Sequence, residues 1–115
     1  MPEFVYETLI GALTPLPPGG QVESSTTDPI DVSGARSVDL TFGITDNDPS
    51  VYWTLYFGPA PNGTWFPTET GTFETNNHVA IAVPVFGPQL LLQVQNLGSQ
   101  DETVQGSIYF VRDVP

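Results

Sequence analysis

The sequence predicts an all-β protein: a two-sheet antiparallel β-sandwich, in the form of an eight-stranded jelly roll. Three observations carry this. Apolar residues alternate with polar ones at period two: Val38, Leu40, Phe42 and Ile44 fall on one face, as do Val51, Trp53, Leu55 and Phe57, and again Val79, Ile81, Val83 and Val85. Twelve prolines and eleven glycines fall between these runs, where an all-β chain needs turns. No stretch repeats its apolar residues with the 3.6-residue period of a helix. Short strands at this spacing fit a two-sheet sandwich, and 115 residues make one domain with its own core.

The elements follow in order. The first strand, about 3–13, breaks the alternation: Phe4, Tyr6 and Ile10 fall on one face and Val5, Leu9 and Leu13 on the other. A strand with one wet face should not read this way: either it is covered on both sides, pairing within its own sheet, or its second face meets another molecule. Thr14-Pro15-Leu16-Pro17-Pro18 behind it reads as a stiff, extended tether. The chain is therefore divided into residues 1–20, an N-terminal strand and tether that either pairs within its own sheet or serves as an intermolecular connector, and residues 21–115, the sandwich domain. Further strands are predicted at 20–31, 36–45, 50–58, 64–74, 78–85, 89–97 and 102–112. Turns separate them: Pro17-Pro18-Gly19-Gly20, Ser33-Gly34-Ala35, Asp46-Asn47-Asp48, Pro59-Ala60-Pro61-Asn62-Gly63, Asn76-Asn77, Phe86-Gly87-Pro88 and Leu97-Gly98-Ser99-Gln100.

Composition excludes several functions. Thirteen acids stand against two arginines and no lysine, a net charge of −11. Such a surface repels phosphate backbones and anionic membranes, so neither nucleic acid nor membrane is expected as a partner. There is no cysteine, hence no disulfide framework and no thiolate metal site. The N-terminus lacks the basic region of a secretion signal, and no apolar run is long enough to span a bilayer. Work outside a cell would then need another route: lysis, assembly on a virion or spore, or removal of a signal ahead of residue 1.

Reactive chemistry is sparse. His78 is the lone histidine and begins a strand, with no visible nucleophile and acid to make a triad. Glu69 and Glu74 flank Gly71 as a glycosidase pair would, yet a domain of this size has little chain to build the cleft they need. Both readings point away from an enzyme. Asp46 and Asp48 are the candidate metal ligands: a D-N-D loop offers oxygens to Ca²⁺, with carbonyls or Asp101 and Glu102 completing the set. No other cofactor is expected. Tyr52, Tyr56 and Tyr109 point away from the core side of their strands. If those strands are neighbours, they pave one outer face, fit to anchor a protein interface or stack on a sugar. Asn62-Gly63-Thr64 matches a glycosylation acceptor and reads as a turn.

From about Gln21 to Arg112 the chain resembles small non-enzymatic jelly-roll subunits used for assembly, namely phage capsid decoration proteins and spore-appendage pilus subunits. The residues carrying this are D-V-S-G before an alternating strand, the loop ending N-G-T-W, the V-P-V strand and the closing G-S-I-Y-F-V-R strand. The pilus subunits' connector carries cysteines that cross-link neighbours; residues 1–20 here carry none. The resemblance implies a structural subunit of a virion or extracellular surface structure, bound to itself or to a capsid or filament scaffold. Phe4, Val5, Tyr6, Leu9 and Ile10 with the three tyrosines are the expected interface. The alternative is a carbohydrate-binding module using the same tyrosines.

Overall fold

A computed structural model describes residues 1–24, 29–59 and 63–113. Nine strands form: β1 (Pro2–Leu16), β2 (Gln21–Glu23), β3 (Ile30–Asp31), β4 (Ser37–Ile44), β5 (Asp48–Gly58), β6 (Phe66–Phe73), β7 (His78–Pro84), β8 (Gln89–Asn96) and β9 (Glu102–Asp113). One sheet runs β1-β9-β4-β7 and the other β2-β8-β5-β6, with β3 beside β2 along β8. Every pairing is antiparallel. Apart from β2 to β3 and β5 to β6, each connection crosses from one sheet to the other. That interleaving is the jelly-roll arrangement the strand count predicts.

The alternating residues do what their period requires. Val38, Leu40, Phe42 and Ile44 of β4 and Val51, Trp53, Leu55 and Phe57 of β5 are all buried, facing one another between the sheets. Phe42 meets Trp53 edge-on at 5.1 Å between ring centres and Phe73 at 6.1 Å, tying the sheets together. Val83, Leu92 and Phe110 join this core, while Ile81 on the outer strand β7 is only half-buried.

The expected second strand, 20–31, is instead two short ones. Ser24 ends β2: its N–H donates to Leu92 O, but the Leu92 N–H donates to Ser24 Oγ rather than to a carbonyl. Pro29, without an N–H, precedes β3. Residues 25–28 of that predicted strand, and Ala60, Pro61 and Asn62 of the predicted loop, lie outside the described residues. Gly71 sits inside β6, opposite Trp53.

The first strand corrects the division at residue 20. β1 pairs with β9 of its own chain from Pro2↔Asp113 to Leu16↔Glu102. That Leu9 and Ile10, on opposite faces by simple alternation, are both inward has a local cause. Register shifts between Thr8 and Ile10 and between Ile10 and Thr14 insert extra residues, so the inward parity changes along the strand. Leu9 and Ile10 both reach the core, whereas Leu13, with φ of 59°, turns out into solvent. The tether is also strand: Leu16 is fully buried, and Asn96 Nδ2 donates to its carbonyl at 3.1 Å.

Candidate functional site

The expected interface residues separate into three groups. Leu9 and Ile10 are core, and Val5 packs against it. Phe4 and Tyr6 project outward from β1, 70% and 73% exposed. In the register they stand beside Val111 and Tyr109 of β9, which are 40% and 37% exposed. These four side chains make one aromatic and aliphatic patch on the outer face of the β1-β9-β4-β7 sheet. Val111 was not singled out from sequence, although its parity with Tyr109 marks it.

Tyr52 and Tyr56 lie on the opposite side of the molecule. They project from β5 on the outer face of the other sheet, so the three tyrosines do not share a surface. Around them the face is polar. Tyr56 Oη donates to Gln93 Oε1 at 3.4 Å, Gln93 Nε2 donates to Glu23 Oε1 at 3.0 Å, and Gln21 Nε2 donates to the same oxygen at 2.6 Å. Gln95 stands beside Tyr52 in the register. Sequence reading missed this strip because it is assembled from β2, β5 and β8.

A shallow groove of about 540 Å³ crosses the first face between Tyr6 and His78, floored by Thr41, Gly43 and Ser107. His78 is exposed, and its Nδ1 lies 3.3 Å from Asn77 Oδ1. No triad-like chain of hydrogen bonds leads from it among the described residues. Glu69 and Glu74 are both exposed, Glu69 on the outer strand β6 and Glu74 beyond its end.

The D-N-D loop joins β4 to β5. The Asp48 carboxylate accepts the Ser50 N–H at 2.9 Å and is buried; Asp46 is exposed, and its N–H donates to buried Glu102 at 3.1 Å. Burial raises the Glu102 pKa; the Asp46 N–H works against this, and the charges of Asp48 and Asp46 work with it. The second Glu102 oxygen has no hydrogen-bond partner. No group of three or more His, Cys, Asp or Glu side chains placed to hold a metal ion occurs among the described residues.

No protein-family model and no curated protein matches the chain. Solved structures do match in fold. The crystal structure of tripeptidyl peptidase 2 aligns over 84% of this chain and 8% of its own, at 16% identity and a TM-score of 0.56. The VP2 subviral particle of infectious bursal disease virus aligns over 96% of this chain and 33% of its own, at 14% identity and a TM-score of 0.53. The Gx strain of the same virus gives 96%, 32%, 11% and 0.52. The chain thus spans a third or less of these proteins, and at such identity the likeness is one of fold: an all-β sandwich.

Proposed function

We propose that the protein is a non-catalytic structural subunit that assembles with copies of itself or docks on a capsid or filament scaffold, in a virion or extracellular surface structure. One observation carries the reading. Phe4, Tyr6, Tyr109 and Val111 stand together and exposed on one sheet face of a strongly acidic protein. Clustered aromatics of this kind supply large contact area at low entropic cost, which suits a protein interface. The fold is compatible with such work, since VP2 with a similar sandwich forms a subviral particle. The first strand would contribute through its outward side chains, while its backbone stays paired with β9.

Light scattering and negative-stain microscopy on the purified chain test this. Particles, rings or fibres are expected, and Phe4→Ser with Tyr6→Ser should abolish them while leaving the melting temperature in place. A wild-type chain that stays monomeric at all concentrations would sink the reading.

The polar strip favours a second reading, a carbohydrate-binding module on the other sheet. Tyr52 and Tyr56 offer stacking surfaces, and Gln93, Gln95 and Glu23 offer donors and acceptors for hydroxyl groups. Saturable binding to a polysaccharide, lost in Tyr56→Ala, would put this reading first.

A further inference from the structure

The two sheets end in four outer strands, and their edges are not alike. β1 carries Glu3 and Glu7 and is broken by the two register shifts. β6 carries Glu69 and has its own irregularity opposite Leu55 and Tyr56. β2 and β3 are three and two residues long and carry Glu23 and Asp31. β7, His-Val-Ala-Ile-Ala-Val-Pro, has no charged residue and pairs with β4 without a shift from Ser37↔Pro84 to Gly43↔His78. Proteins blunt exposed edges with charges, prolines, bulges or short strands; β7 has only Pro84, at its last position.

The register tells which backbone groups face out. The Ile44 N–H donates to Asn77 O and the Val85 N–H to Arg36 O. With alternation in an antiparallel ladder, Val79, Ile81 and Val83 direct their N–H and C=O groups at β4. His78, Ala80 and Ala82 direct theirs at the open edge. Pro84 falls in the same outward class, where its missing N–H breaks no bond to β4.

We infer that β7 pairs with β7 of a second copy, antiparallel and about a two-fold axis at Ile81, joining two four-stranded sheets into one. This rests on the reading of the chain as an assembling subunit and adds a two-fold contact distinct from the one made by the Phe4–Tyr109 patch. Unpaired strand N–H and C=O groups call for an extended strand as occupant. Charge selects which strand. Every copy is strongly acidic, and like charges set opposite one another across a ladder oppose pairing. A β7–β7 contact sets none. It places Ala80 against Ala82 on the outer face, and Val79 against Val83 with Ile81 against its own mate on the inner face. Val79 and Ile81, half-buried in one copy, would then be covered. The contact leaves the Phe4–Tyr109 patch free at the far edge of each sheet.

The test is Ala82→Pro, which removes an outward N–H and spares the bonds to β4. Sedimentation velocity should show wild-type dimers or larger species and a variant that has lost the two-fold contact. An assembly state unchanged in a folded variant overturns the edge pairing. Amide hydrogen exchange on the wild type gives an answer even if the variant does not fold. The Ala80 and Ala82 amides should be protected in the assembled protein and should exchange fast on dilution, whereas Ile81 and Val83 stay protected throughout. Fast exchange at Ala80 and Ala82 in demonstrably assembled protein would overturn the β7 contact and leave the structural-subunit reading intact. A wild type that never assembles overturns both.

Discussion

Trp53 shows how tightly single residues hold this core. Its indole lies over Gly71 of the paired strand, and a Cβ there would come within 2.7 Å of Cε2 and Cζ2. The ring is already wedged edge-on against Phe42, so it has little room to retreat. Gly71→Ala should therefore destabilise by about 1–3 kcal/mol, the usual range for overpacking. Urea denaturation checks this, and a change within error would mean that the ring can move. Glu102 makes a different kind of residue-scale case. Its carboxyl is held above the ordinary range, first by burial. A carboxyl with a raised folded pKa keeps its proton more firmly in the native state than in the unfolded one. Its stabilisation is present below the unfolded value and is lost as pH rises through the folded value. Glu102→Gln keeps an oxygen for the Asp46 N–H and carries no charge. The variant should melt higher than wild type at neutral pH, with the gap closing as pH falls through the carboxylate range. A lower melting temperature at neutral pH would show that the charged form is the better partner in this corner. Neither effect was readable in advance, since both depend on which strand lies opposite.

At the scale of elements, alternation made β4, β5, β7 and β9 legible, because period two along one strand decides its buried face without reference to any other strand. β1 resisted for a physical reason. A bulge changes inward parity, and only Gly11 in Leu9-Ile10-Gly11-Ala12-Leu13 hints that extra residues will stand opposite β9 there. Val5, Leu9 and Ile10 form an inward set whose parity changes at the bulge, while Phe4 and Tyr6 form a separate outward pair left exposed. The pairing of β1 with β9 sets what truncation should do. Deleting residues 1–14 removes Leu9 and Ile10 from the core and most of the ladder to β9, and it leaves β9 as a fresh edge displaying Phe110 and Ile108 beneath an uncovered flank. The truncated chain should unfold or aggregate, as seen by loss of near-ultraviolet circular dichroism and by light scattering. A soluble, cooperatively melting product would restore the picture of a detachable connector.

For the whole molecule, the limit of sequence reading was sheet membership. Parity places Tyr52, Tyr56 and Tyr109 on outer faces, and all three are. Which sheet each face belongs to depends on crossings between distant strands, and these put β5 and β9 on opposite sides of the sandwich. The net charge of −11, by contrast, is a property of the sequence alone, and the fold does little to offset it. Arg112 pairs with Glu3 at 2.6 Å, the one salt bridge among the described residues. The molecule measures 48 × 29 × 21 Å. At about 10 mM salt the screening length is about 30 Å, so acids across the whole sandwich repel one another; at about 1 M it falls to about 3 Å. Self-repulsion opposes both the folded state and the approach of a second copy. Sodium chloride should therefore raise the melting temperature and strengthen self-association together. The half-buried Arg112–Glu3 pair is one attractive contact set against many like-charged acids. Differential scanning calorimetry and sedimentation across that salt range check both halves. A melting temperature that falls with salt would mean that the few attractive contacts outweigh the many repulsive ones. Association that weakens with salt would point to an oppositely charged contact, which neither the Phe4–Tyr109 patch nor the uncharged β7 edge provides.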